Sequence, residues 1–390
     1  MITIDAQLHD GQKLIFRNRR RFNTVACGRR FGKTVMAEAL LIESAIMGKP
    51  AAYFAPTYKM LSDVWKALKT TLHPIITGVS EQEKRLTIET GGIIDCWSLD
   101  AFDSVRGRKY ARVVCDEVAM VKNFMDAWNE AIRPTLTDYK GDGYFFSTPK
   151  GRNDFHAMYE RARLDETYAS FRMPTSVNPY IAQDEIDAAQ RELPTVVFNQ
   201  EYLAEFVDVQ GALVKREMIT YVNSDQVPRD LKIGMGVDLA ISKSDTADYT
   251  AIAVVGYDKD SGRRYVLDMW RGKVGFHEVV TGVQSLAAKW NPSRINIEAV
   301  QYQVAVVQEL LRKTSLPVKA VKPDRDKVTR FHALLARYEQ LLVTHVRGLE
   351  PSFEQELLSF PEGNHDDMVD ALVYAEMAAV KSQGAGVVFL

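Results

Sequence analysis

The sequence has 390 residues, which is long for one domain and sufficient for two domains of ordinary size. Its hydrophobic share of 46% and its charged share of 26% are typical of a globular protein, so each half can bury a core. The formal net charge of −2 excludes a protein that coats nucleic acid through a general basic excess. Contacts with phosphate groups must instead use local basic patches or bridging metal ions.

One such basic patch lies near the N-terminus, where a solvated face and a phosphate-binding surface are both open interpretations. Its members are Arg17, Arg19, Arg20, Arg21, Arg29, Arg30 and Lys33. The three cysteines are Cys27, Cys96 and Cys115; they lie in or beside apolar runs, which predicts buried thiols in a reducing cytoplasm. The N-terminus lacks a signal-like pattern, and no apolar stretch approaches the ~18–20 residues that span a bilayer, so we expect no membrane contact.

In the first half, short apolar runs alternate with amphipathic stretches, which predicts an α/β domain with a mostly parallel sheet. The predicted strands are Asn23–Cys27, Ala51–Ala55, Gly92–Ser98, Ala111–Cys115 and Gly143–Ser147. The predicted helices are Thr34–Met47 and Lys59–Leu72. This domain is expected to span residues 1–207, with a helical lid at about 152–207, where the sequence is polar and rich in helix formers. A linker is predicted at 208–230.

The second half, 231–390, begins a new α/β pattern. The predicted strands are Ile233–Leu239, Thr250–Tyr257, Arg264–Trp270, Arg294–Glu298 and Pro317–Val321, and the predicted helices are His277–Trp290, Val328–Gln340 and His365–Val380. A turn at Asp258–Gly262 joins two strands as a hairpin. Three strands followed by helix, strand, helix, strand and helix is the order of an RNase H-like fold with a mixed sheet.

Residues 27–34 read Cys-Gly-Arg-Arg-Phe-Gly-Lys-Thr between a predicted strand and a predicted helix. This is the context of a phosphate-binding loop, in which backbone N–H groups cradle the phosphates of ATP. Lys33 is expected to reach the β- and γ-phosphates, and the hydroxyl of Thr34 is expected to ligate Mg²⁺. Cys27 replaces the first glycine of the usual pattern, while Gly28 and Gly32 remain available to the loop together with Arg29 and Arg30.

A second part of the same site is predicted where the apolar run Arg112–Cys115 ends in Asp116 and Glu117. Such acids lie at the carboxyl edge of a parallel sheet, where ligands bind. Asp116 is expected to hold the Mg²⁺ of ATP, and Glu117 to orient and deprotonate the attacking water. Solvated acids at the end of a strand are the alternative interpretation, which the neighbouring loop motif disfavours.

The second half carries carboxylates on three separate elements. Asp238 and Glu298 each end a predicted apolar strand, and Asp366, Asp367 and Asp370 open the last predicted helix. Helix capping explains one or two of these acids. Carboxylates brought together without a cation repel one another, whereas two divalent ions ~4 Å apart remove that penalty and form a phosphodiesterase site.

Oxygen ligands favour Mg²⁺ or Mn²⁺ over zinc, and we expect two such ions. Asp238, Glu298 and Asp367 are the preferred ligands and nuclease residues; Asp366 and Asp370 are open substitutes, because the sequence does not decide which acid of the helix faces inward. Three further residues are interpreted as solvated, with His365 as an optional peripheral ligand. They are Asp245, Asp248 and His365.

These motifs, in this order, resemble the large subunit of phage DNA-packaging terminases over nearly the whole chain. Arg29 is similar to a loop arginine that contacts phosphate, and Gln12 is similar to the adenine-reading glutamine of related motors. Ser147-Thr148-Pro149 resembles the segment that couples hydrolysis to movement. Arg106 resembles an arginine that a neighbouring subunit inserts into the ATP site, with Arg108 as the alternative. His365-Asp-Asp, followed by Asp370-Ala, resembles the start of the last nuclease helix.

The resemblance implies ATP-driven translocation of double-stranded viral DNA into procapsids and metal-dependent endonucleolytic cutting of concatemers in the host cytoplasm. It implies a terminase small subunit and a portal protein as partners, and a homo-oligomeric ring on the procapsid formed from monomers in solution. A DNA-repair helicase or translocase fused to an RNase H-like nuclease is the alternative enzyme, although no later helicase arginine motif is found. A nucleotide-gated scaffold with both sites dead is the third hypothesis, which the intact Lys33, Thr34, Glu117 and Asp238 disfavour.

Overall fold

The computed structural model describes residues 7–207, 211–239, 249–298, 304–323 and 325–380. The chain divides into two compact units, Met1–Val209 and Gln210–Leu390. Across the described ranges, helices fall short of the length and apolar character that crossing a membrane requires. Each unit is built around one sheet.

The first unit contains an eight-stranded sheet in the order β3-β4-β5-β2-β6-β7-β1-β8. Its strands are β1 (Phe22–Cys27), β2 (Ala51–Ala55), β3 (Ile76–Ser80), β4 (Arg85–Ile88), β5 (Ile93–Ser98), β6 (Arg112–Cys115), β7 (Asp142–Ser147) and β8 (Tyr168–Met173). Its helices are α1 (Asp10–Asn18), α2 (Lys33–Ile46), α3 (Tyr58–Leu72), α4 (Phe124–Ala127), α5 (Asp154–Arg161), α6 (Gln183–Glu192) and α7 (Thr195–Glu201).

The central strands β1, β2 and β6 are buried at every position, because helices and loops cover both faces of the sheet. Two apolar clusters fill the two sides. The pairs β2–β6, β6–β7 and β7–β1 are parallel, so their carboxyl ends share one edge. The prediction of an α/β unit with a mostly parallel sheet is confirmed, with an antiparallel extension formed by β3 and β4.

The predicted helical lid is corrected in one respect. Residues 152–207 do contain α5, α6 and α7, but they also contain β8, which pairs in parallel with β1 inside the main sheet. This edge strand is only partly buried, and its sequence Tyr-Ala-Ser-Phe-Arg-Met lacks the continuous apolar run that marks the central strands. The segment is therefore part of the first unit's sheet and not a separate helical layer.

The second unit contains a seven-stranded sheet in the order β14-β13-β10-β11-β12-β15-β9. Its strands are β9 (Thr220–Val222), β10 (Lys232–Asp238), β11 (Thr250–Tyr257), β12 (Arg264–Gly272), β13 (Arg294–Glu298), β14 (Val318–Val321) and β15 (Val343–Val346). Its helices are α8 (Phe276–Trp290), α9 (Val304–Lys313), α10 (Lys327–Glu339), α11 (Phe353–Leu357) and α12 (Asp367–Val380).

Five adjacent strands of this sheet, β14-β13-β10-β11-β12, confirm the predicted RNase H-like arrangement. β10, β11 and β12 form an antiparallel meander, while β13 and β14 join the other side of β10 in parallel. The predicted linker at 208–230 is wrong in part, because β9 lies within it and pairs with β15. A three-residue strand that is only partly buried leaves too short a pattern to predict.

The last helix, α12, packs directly on β10 because two glycines remove side chains from the strand. A Cβ at Gly234 or Gly236 would collide with the backbone of α12 at Ala375 and Ala371 respectively. From β13, the buried Asn296 Nδ2 donates a hydrogen bond of 3.1 Å to the Tyr374 carbonyl. Close backbone packing thus fixes the start of α12 beside the carboxyl ends of β10 and β13.

Candidate active sites

The loop between β1 and α2 carries the predicted phosphate-binding residues. Gly32 lies at the N-cap of α2 with φ at +101°, and Arg30 has φ at 62°, so the backbone of the loop turns sharply into the helix. Gly28 N donates to the Met173 carbonyl at 2.9 Å, where β8 ends. A Cβ at Gly28 would lie 2.5 Å from both Thr175 Oγ1 and the Tyr202 carbonyl. The loop therefore requires glycine at position 28, although position 27 is a buried cysteine.

Side chains that follow β8 hold the same loop from outside. Thr175 Oγ1 donates to the Arg29 carbonyl at 2.8 Å, and Asn178 Nδ2 donates to the Arg30 carbonyl at 2.6 Å. Both side chains come from residues 152–207 and are buried. Sequence reasoning missed them because a threonine and an asparagine without motif spacing look like ordinary turn residues.

Lys33 meets the predicted catalytic acid across the sheet edge. Its Nζ lies 3.1 Å from Glu117 Oε1 and donates to Thr148 Oγ1 at 3.1 Å. Ser147 Oγ donates to Glu117 Oε2 at 3.3 Å. The strand order explains this arrangement, because β7 lies between β1 and β6 and so places Ser147 and Thr148 between the loop and the acids.

Electrostatics keep this lysine charged. Burial lowers the pKa of Lys33, but the negative charge of Glu117 and its other neighbours outweighs burial, and the pKa is raised overall. Glu117 itself has a left-handed backbone with φ at 48°, a strained conformation for a non-glycine residue that is frequent at functional sites.

Asp116 is buried at the end of β6. Burial and the neighbouring charge of Glu117 raise the pKa of Asp116 to about 6. Tyr53 OH donates to its Oδ2 at 3.0 Å, and the Glu117 N–H donates to its Oδ1 at 2.9 Å. These two donors orient the carboxylate. Tyr53 was not predicted, because no motif distinguishes it from the other tyrosines in the sequence.

The remaining predicted nucleotide residues surround the loop. Gln12 is buried: its Nε2 donates to the Gly32 carbonyl at 2.9 Å, and its Oε1 accepts from the His9 N–H at 3.0 Å. The Arg29 guanidinium forms an ion pair with Glu201 and is largely exposed. Thr34 is exposed in the first turn of α2. Gln12, Arg29 and Thr34 thus lie in or beside the loop, and the contacts described for Gln12 and Arg29 are with groups of the protein itself.

Arg106 lies elsewhere on the first unit. Its Nε donates to Asp103 Oδ1 at 2.8 Å, and its Nη2 donates to Glu130 Oε2 at 3.3 Å, with about half of the side chain exposed. Arg108 stacks over Trp97. The polar and ring contacts of these two arginines, within the described residues, thus lie away from the loop at 28–34.

The second candidate site lies at the carboxyl ends of β10 and β13 and the start of α12. Asp238 ends β10 and Glu298 ends β13; the preceding residues Val237 and Ile297 are register partners. Asp370 and Asp367 are 3% and 8% exposed, which shows that both face inward, whereas the side chain of Asp366 is about one third exposed. Of the three helix acids that the sequence left open, Asp367 and Asp370 are thus the two that face inward.

The carboxylates of this second site are crowded. The pKa of Asp238 is raised well above its ordinary value, first by burial and then by the charges of Asp370, Glu298 and Asp367. Burial is also the main cause that raises the pKa of Asp370 to about 6. Crowded, buried carboxylates favour either protons or cations.

Two cationic side chains of α10 lie among these acids. Lys327 Nζ lies 2.6 Å from Asp366 Oδ1 and 3.5 Å from Asp370 Oδ2. Arg330 Nη2 lies 3.0 Å from Asp370 Oδ1, and its Nη1 lies 3.6 Å from Glu298 Oε2. Neither was predicted, because α10 contains no motif and lies about 30 residues from the nearest predicted acid.

Two further unpredicted residues hold the carboxylates in place. Tyr374 OH donates to Glu298 Oε2 at 2.5 Å. The buried Glu356 accepts the N–H groups of Met368 and Val369 at 2.7 and 3.2 Å, and so caps α12. Its other oxygen lies 3.3 Å from Arg271 Nη1. Glu356 therefore fixes the first turn of the helix that carries Asp367 and Asp370.

The second site fits a divalent cation by its chemistry. Its side chains offer carboxylate oxygens, which hard cations prefer, and the pKa of Asp238 is raised by burial first and then by the neighbouring carboxylates. Within the described ranges, no three acidic, histidine or cysteine side chains are yet drawn together closely enough to hold a cation. Lys327 and Arg330 instead supply the positive charge.

Comparison with known families supplies an independent observation on both units. Residues 25–221, about half of the chain, match the family described as "Terminase large subunit, T4likevirus-type, N-terminal". Residues 235–379 match the family described as "Terminase RNaseH-like domain". This chain belongs to the terminase large subunit family.

Individual relatives agree with this assignment. The terminase chain is 27% identical over 277 residues to the terminase large subunit of Escherichia phage T5, covering 65% of this chain and 60% of the relative. It is 24% identical over 318 residues to that of Thermus virus P23-45, covering 71% and 63%. The chain thus spans about three fifths of the length of these relatives.

A solved structure shares the fold over nearly the whole chain. The large terminase of a thermophilic bacteriophage superposes with a TM-score of 0.62 at 14% identity, covering 94% of this terminase chain and 98% of that protein. The identity is low, so the likeness concerns the fold.

The predicted solvated acids Asp245 and Asp248 lie outside the described residues.

Proposed function

We propose that this terminase large subunit hydrolyses ATP to translocate double-stranded viral DNA into procapsids, and that it cuts concatemeric DNA with a divalent-metal nuclease. The observation that carries the proposal is the pair of polar sites at the carboxyl edges of two separate sheets, one with Lys33 beside Glu117 and one with carboxylates crowded around Asp238. The proposed place of action is the cytoplasm of the infected host.

In the proposed motor site, the loop N–H groups and Lys33 bind the phosphates of ATP. Because Lys33 now contacts Glu117, the γ-phosphate must draw the ammonium away from that carboxylate. Glu117 then remains held by Ser147 Oγ and is free to accept a proton from the attacking water. Thr34 and Asp116 would hold the Mg²⁺ that accompanies ATP, with Asp116 oriented by Tyr53.

This arrangement supports a coupling of hydrolysis to movement. Ser147 Oγ also accepts the Ala119 N–H at 3.1 Å, and Thr148 Oγ1 contacts Lys33. A change in the position of Lys33 or Glu117 would therefore alter hydrogen bonds at the end of β7 and in the loop after β6. We propose that this network transmits the state of the nucleotide to the rest of the first unit.

In the proposed nuclease site, Asp238, Glu298, Asp367 and Asp370 would hold Mg²⁺ or Mn²⁺, with Asp366 at the margin. Bound divalent ions would activate water and stabilise the leaving oxygen of the phosphodiester. The chain's own contribution is to keep these oxygens together: Tyr374 orients Glu298, and Glu356 fixes the start of α12. Two ions are proposed, in keeping with the number of carboxylates.

Contacts with DNA are proposed at cationic groups beside the carboxylates, since the net charge of −2 gives no general attraction to phosphate. Arg271 and Lys273 lie over the ring of Tyr249 at 4.4 and 4.9 Å from its centroid, and that ring meets His365 edge-on at 5.2 Å. A cationic and aromatic surface thus adjoins the start of α12. Such surfaces suit nucleic-acid backbones and unstacked bases.

Assembly is proposed to complete the motor. Arg106 is half exposed and pairs with the exposed acids Asp103 and Glu130, so it is available to a neighbouring subunit at little cost. We propose that a ring of these subunits forms on the procapsid, with the portal protein and the terminase small subunit as partners and Arg106 acting in trans. Gln12 and Arg29 are proposed to contact the base and the phosphates of ATP after local rearrangement.

The motor is tested by replacing Lys33 with alanine in the full chain. We expect ATP hydrolysis to fall by at least about hundredfold, because the loop loses the charge that acts directly on the transferred phosphate. The exposed Lys59→Ala on α3 is the matched control and is expected to leave hydrolysis unchanged. Undiminished ATP hydrolysis by the Lys33→Ala variant would contradict the proposal that this loop is the site of ATP hydrolysis.

The nuclease is tested by Mn²⁺-dependent cleavage of plasmid DNA with Asp238→Ala. We expect cleavage to be lost, with ATP hydrolysis retained, because the two sites lie in separate units. The exposed turn residue Asp260 serves as the control acid in an Asp260→Ala variant. Cleavage that survives Asp238→Ala would show that the nuclease site lies elsewhere or that a contaminant cuts the DNA.

A further inference from the structure

The cations of α10 have a charge environment that differs from that of an ordinary surface ion pair. Lys327 and Arg330 lie one helical turn apart on the same face of α10, and together they contact Asp366, Asp370 and Glu298. Asp370 receives both cations, one at each oxygen. Two carboxylates proposed as metal ligands are therefore already paired with cations of the chain itself.

Lys327 and Arg330 contact carboxylates that would hold divalent ions. A bound Mg²⁺ or Mn²⁺ needs carboxylate oxygens at about 2.1 Å and tolerates little displacement from its preferred geometry. An ammonium or guanidinium that forms ion pairs with the same carboxylates competes for that negative charge. Because both cations are held by α10 and not by α12, they can leave the carboxylates without unfolding the helix that bears Asp367 and Asp370.

The two side chains differ in their freedom to move. The side chain of Lys327 is 50% exposed, whereas that of Arg330 is 8% exposed and also donates to Tyr374 OH. A half-exposed lysine beside a metal site has solvent on its other side, where the phosphate of a nucleic acid would approach. The lysine is therefore the mobile member of the pair, and the arginine is the fixed one.

Resting on the proposed nuclease function, we propose that Lys327 is an internal counterion that occupies the carboxylate site in the absence of metal and, once divalent ions displace it, binds a phosphate of the DNA. The same ammonium thus lowers the affinity of the empty site for metal and raises the affinity of the loaded site for DNA. Metal and DNA binding are linked through one side chain.

The test measures Mn²⁺ binding to the full chain by isothermal titration calorimetry at one pH, without DNA. We expect Lys327→Gln to bind Mn²⁺ about three- to tenfold more tightly than the wild type, because one competing ion pair is removed. The exposed Lys259→Gln is the matched control and is expected to leave the affinity unchanged. Unchanged or weaker Mn²⁺ binding by Lys327→Gln would overturn the inference.

The second measurement is plasmid cleavage at saturating Mn²⁺. Lys327→Gln is expected to raise KM for DNA about three- to tenfold with a smaller change in kcat, since the lysine contributes binding to phosphate. Lys327→Arg is expected to restore KM. A purely structural lysine would weaken metal and DNA binding together, and an unchanged KM would remove the phosphate-binding half of the proposal.

The outcomes separate this inference from the proposed function. Wild-type protein that binds no Mn²⁺, or an Asp238→Ala variant that binds it as well as the wild type, would refute the metal site itself. Mn²⁺ binding that depends on Asp238 but is indifferent to Lys327 would leave the nuclease proposal standing and refute only the role of the lysine.

Discussion

Both candidate sites pair buried carboxylates with cationic side chains, but the residues that do so are distributed differently along the chain. In the first unit, Lys33 faces Glu117 and Asp116, and all three belong to short motifs that follow strands. In the second unit, the acids come from β10, β13 and α12, and their cations come from α10. A site confined to strand-end motifs can therefore be predicted from sequence together with its cation. A site assembled from dispersed elements shows its acids in the sequence but not its cations.

Glycine substitutions test this comparison with the largest expected effects. Gly236→Ala would force the backbone of α12 away from β10, and overpacking against backbone costs more than the usual ~1–3 kcal/mol of a core insertion. We expect loss of Mn²⁺ binding and a lower Tm for the second unit. Gly28→Ala meets Thr175 Oγ1 and the Tyr202 carbonyl at 2.5 Å and the Thr175 backbone N at 2.7 Å, which are longer distances than the 2.1 and 2.2 Å at Gly236. We expect ATP affinity to fall by about tenfold to hundredfold with a smaller loss of stability.

Control glycines with ordinary space at the Cβ position complete this experiment. Gly78→Ala in the first unit and Gly282→Ala in the second would each place the new Cβ 3.6 Å from its nearest neighbour. Both are expected to leave ligand binding unchanged. Equal effects of Gly236→Ala and Gly282→Ala on Mn²⁺ binding would contradict the close packing of α12 on β10.

The sequence predicts the residues of a site that lie next to recognisable strands. The loop at 28–34 and the acids at 116–117 directly follow strands that are buried in the structure and that are visible in the sequence as short apolar runs. Six further site residues were not predicted, because each reaches its site through tertiary contacts between segments that are distant in sequence. They are Thr175, Asn178, Tyr53, Lys327, Arg330 and Glu356. The strands β8, β9 and β15 were missed because they are short or only partly apolar.

The pH dependence of cation binding is the next test, with an effect of about tenfold. The pKa values of Asp116 and Asp370 are both raised to about 6, mainly by burial, so each acid takes up a proton as the pH falls from about 7 to about 5. A protonated carboxyl binds a divalent ion poorly. We therefore expect Mn²⁺ affinity at the second site, and Mg²⁺-dependent ATP affinity at the first, to fall about tenfold over this range.

A variant separates this titration from general acid effects. Asp370→Asn is expected to bind Mn²⁺ more weakly at neutral pH but with a shallower pH dependence, because one titrating group has been removed. Its ATP affinity should keep the pH dependence of the wild type. An Asp370→Asn variant with the full pH dependence of Mn²⁺ binding would assign the titration to another acid of the cluster.

The smallest effects are expected from the tyrosines that orient one carboxylate in each site. Tyr53→Phe leaves Asp116 with the Glu117 N–H as a donor, and the loss of a hydrogen bond to a charged group is worth about 1.5–3 kcal/mol at most. Tyr374→Phe removes the hydroxyl that orients Glu298, while Arg330 stays fixed 3.0 Å from Asp370 and 3.6 Å from Glu298. Arg330 therefore does not replace the lost hydrogen bond.

Parallel measurements of ATP affinity and Mn²⁺ affinity decide whether that difference is real. We expect Tyr53→Phe to weaken Mg²⁺-dependent ATP binding about fivefold, and Tyr374→Phe to weaken Mn²⁺ binding slightly more, because Arg330 stays with Asp370 and does not take the place of the hydroxyl. A smaller loss in Tyr374→Phe than in Tyr53→Phe would contradict the fixed position of Arg330. Both cations of α10 would then be mobile, and the distinction between Lys327 and Arg330 would be lost.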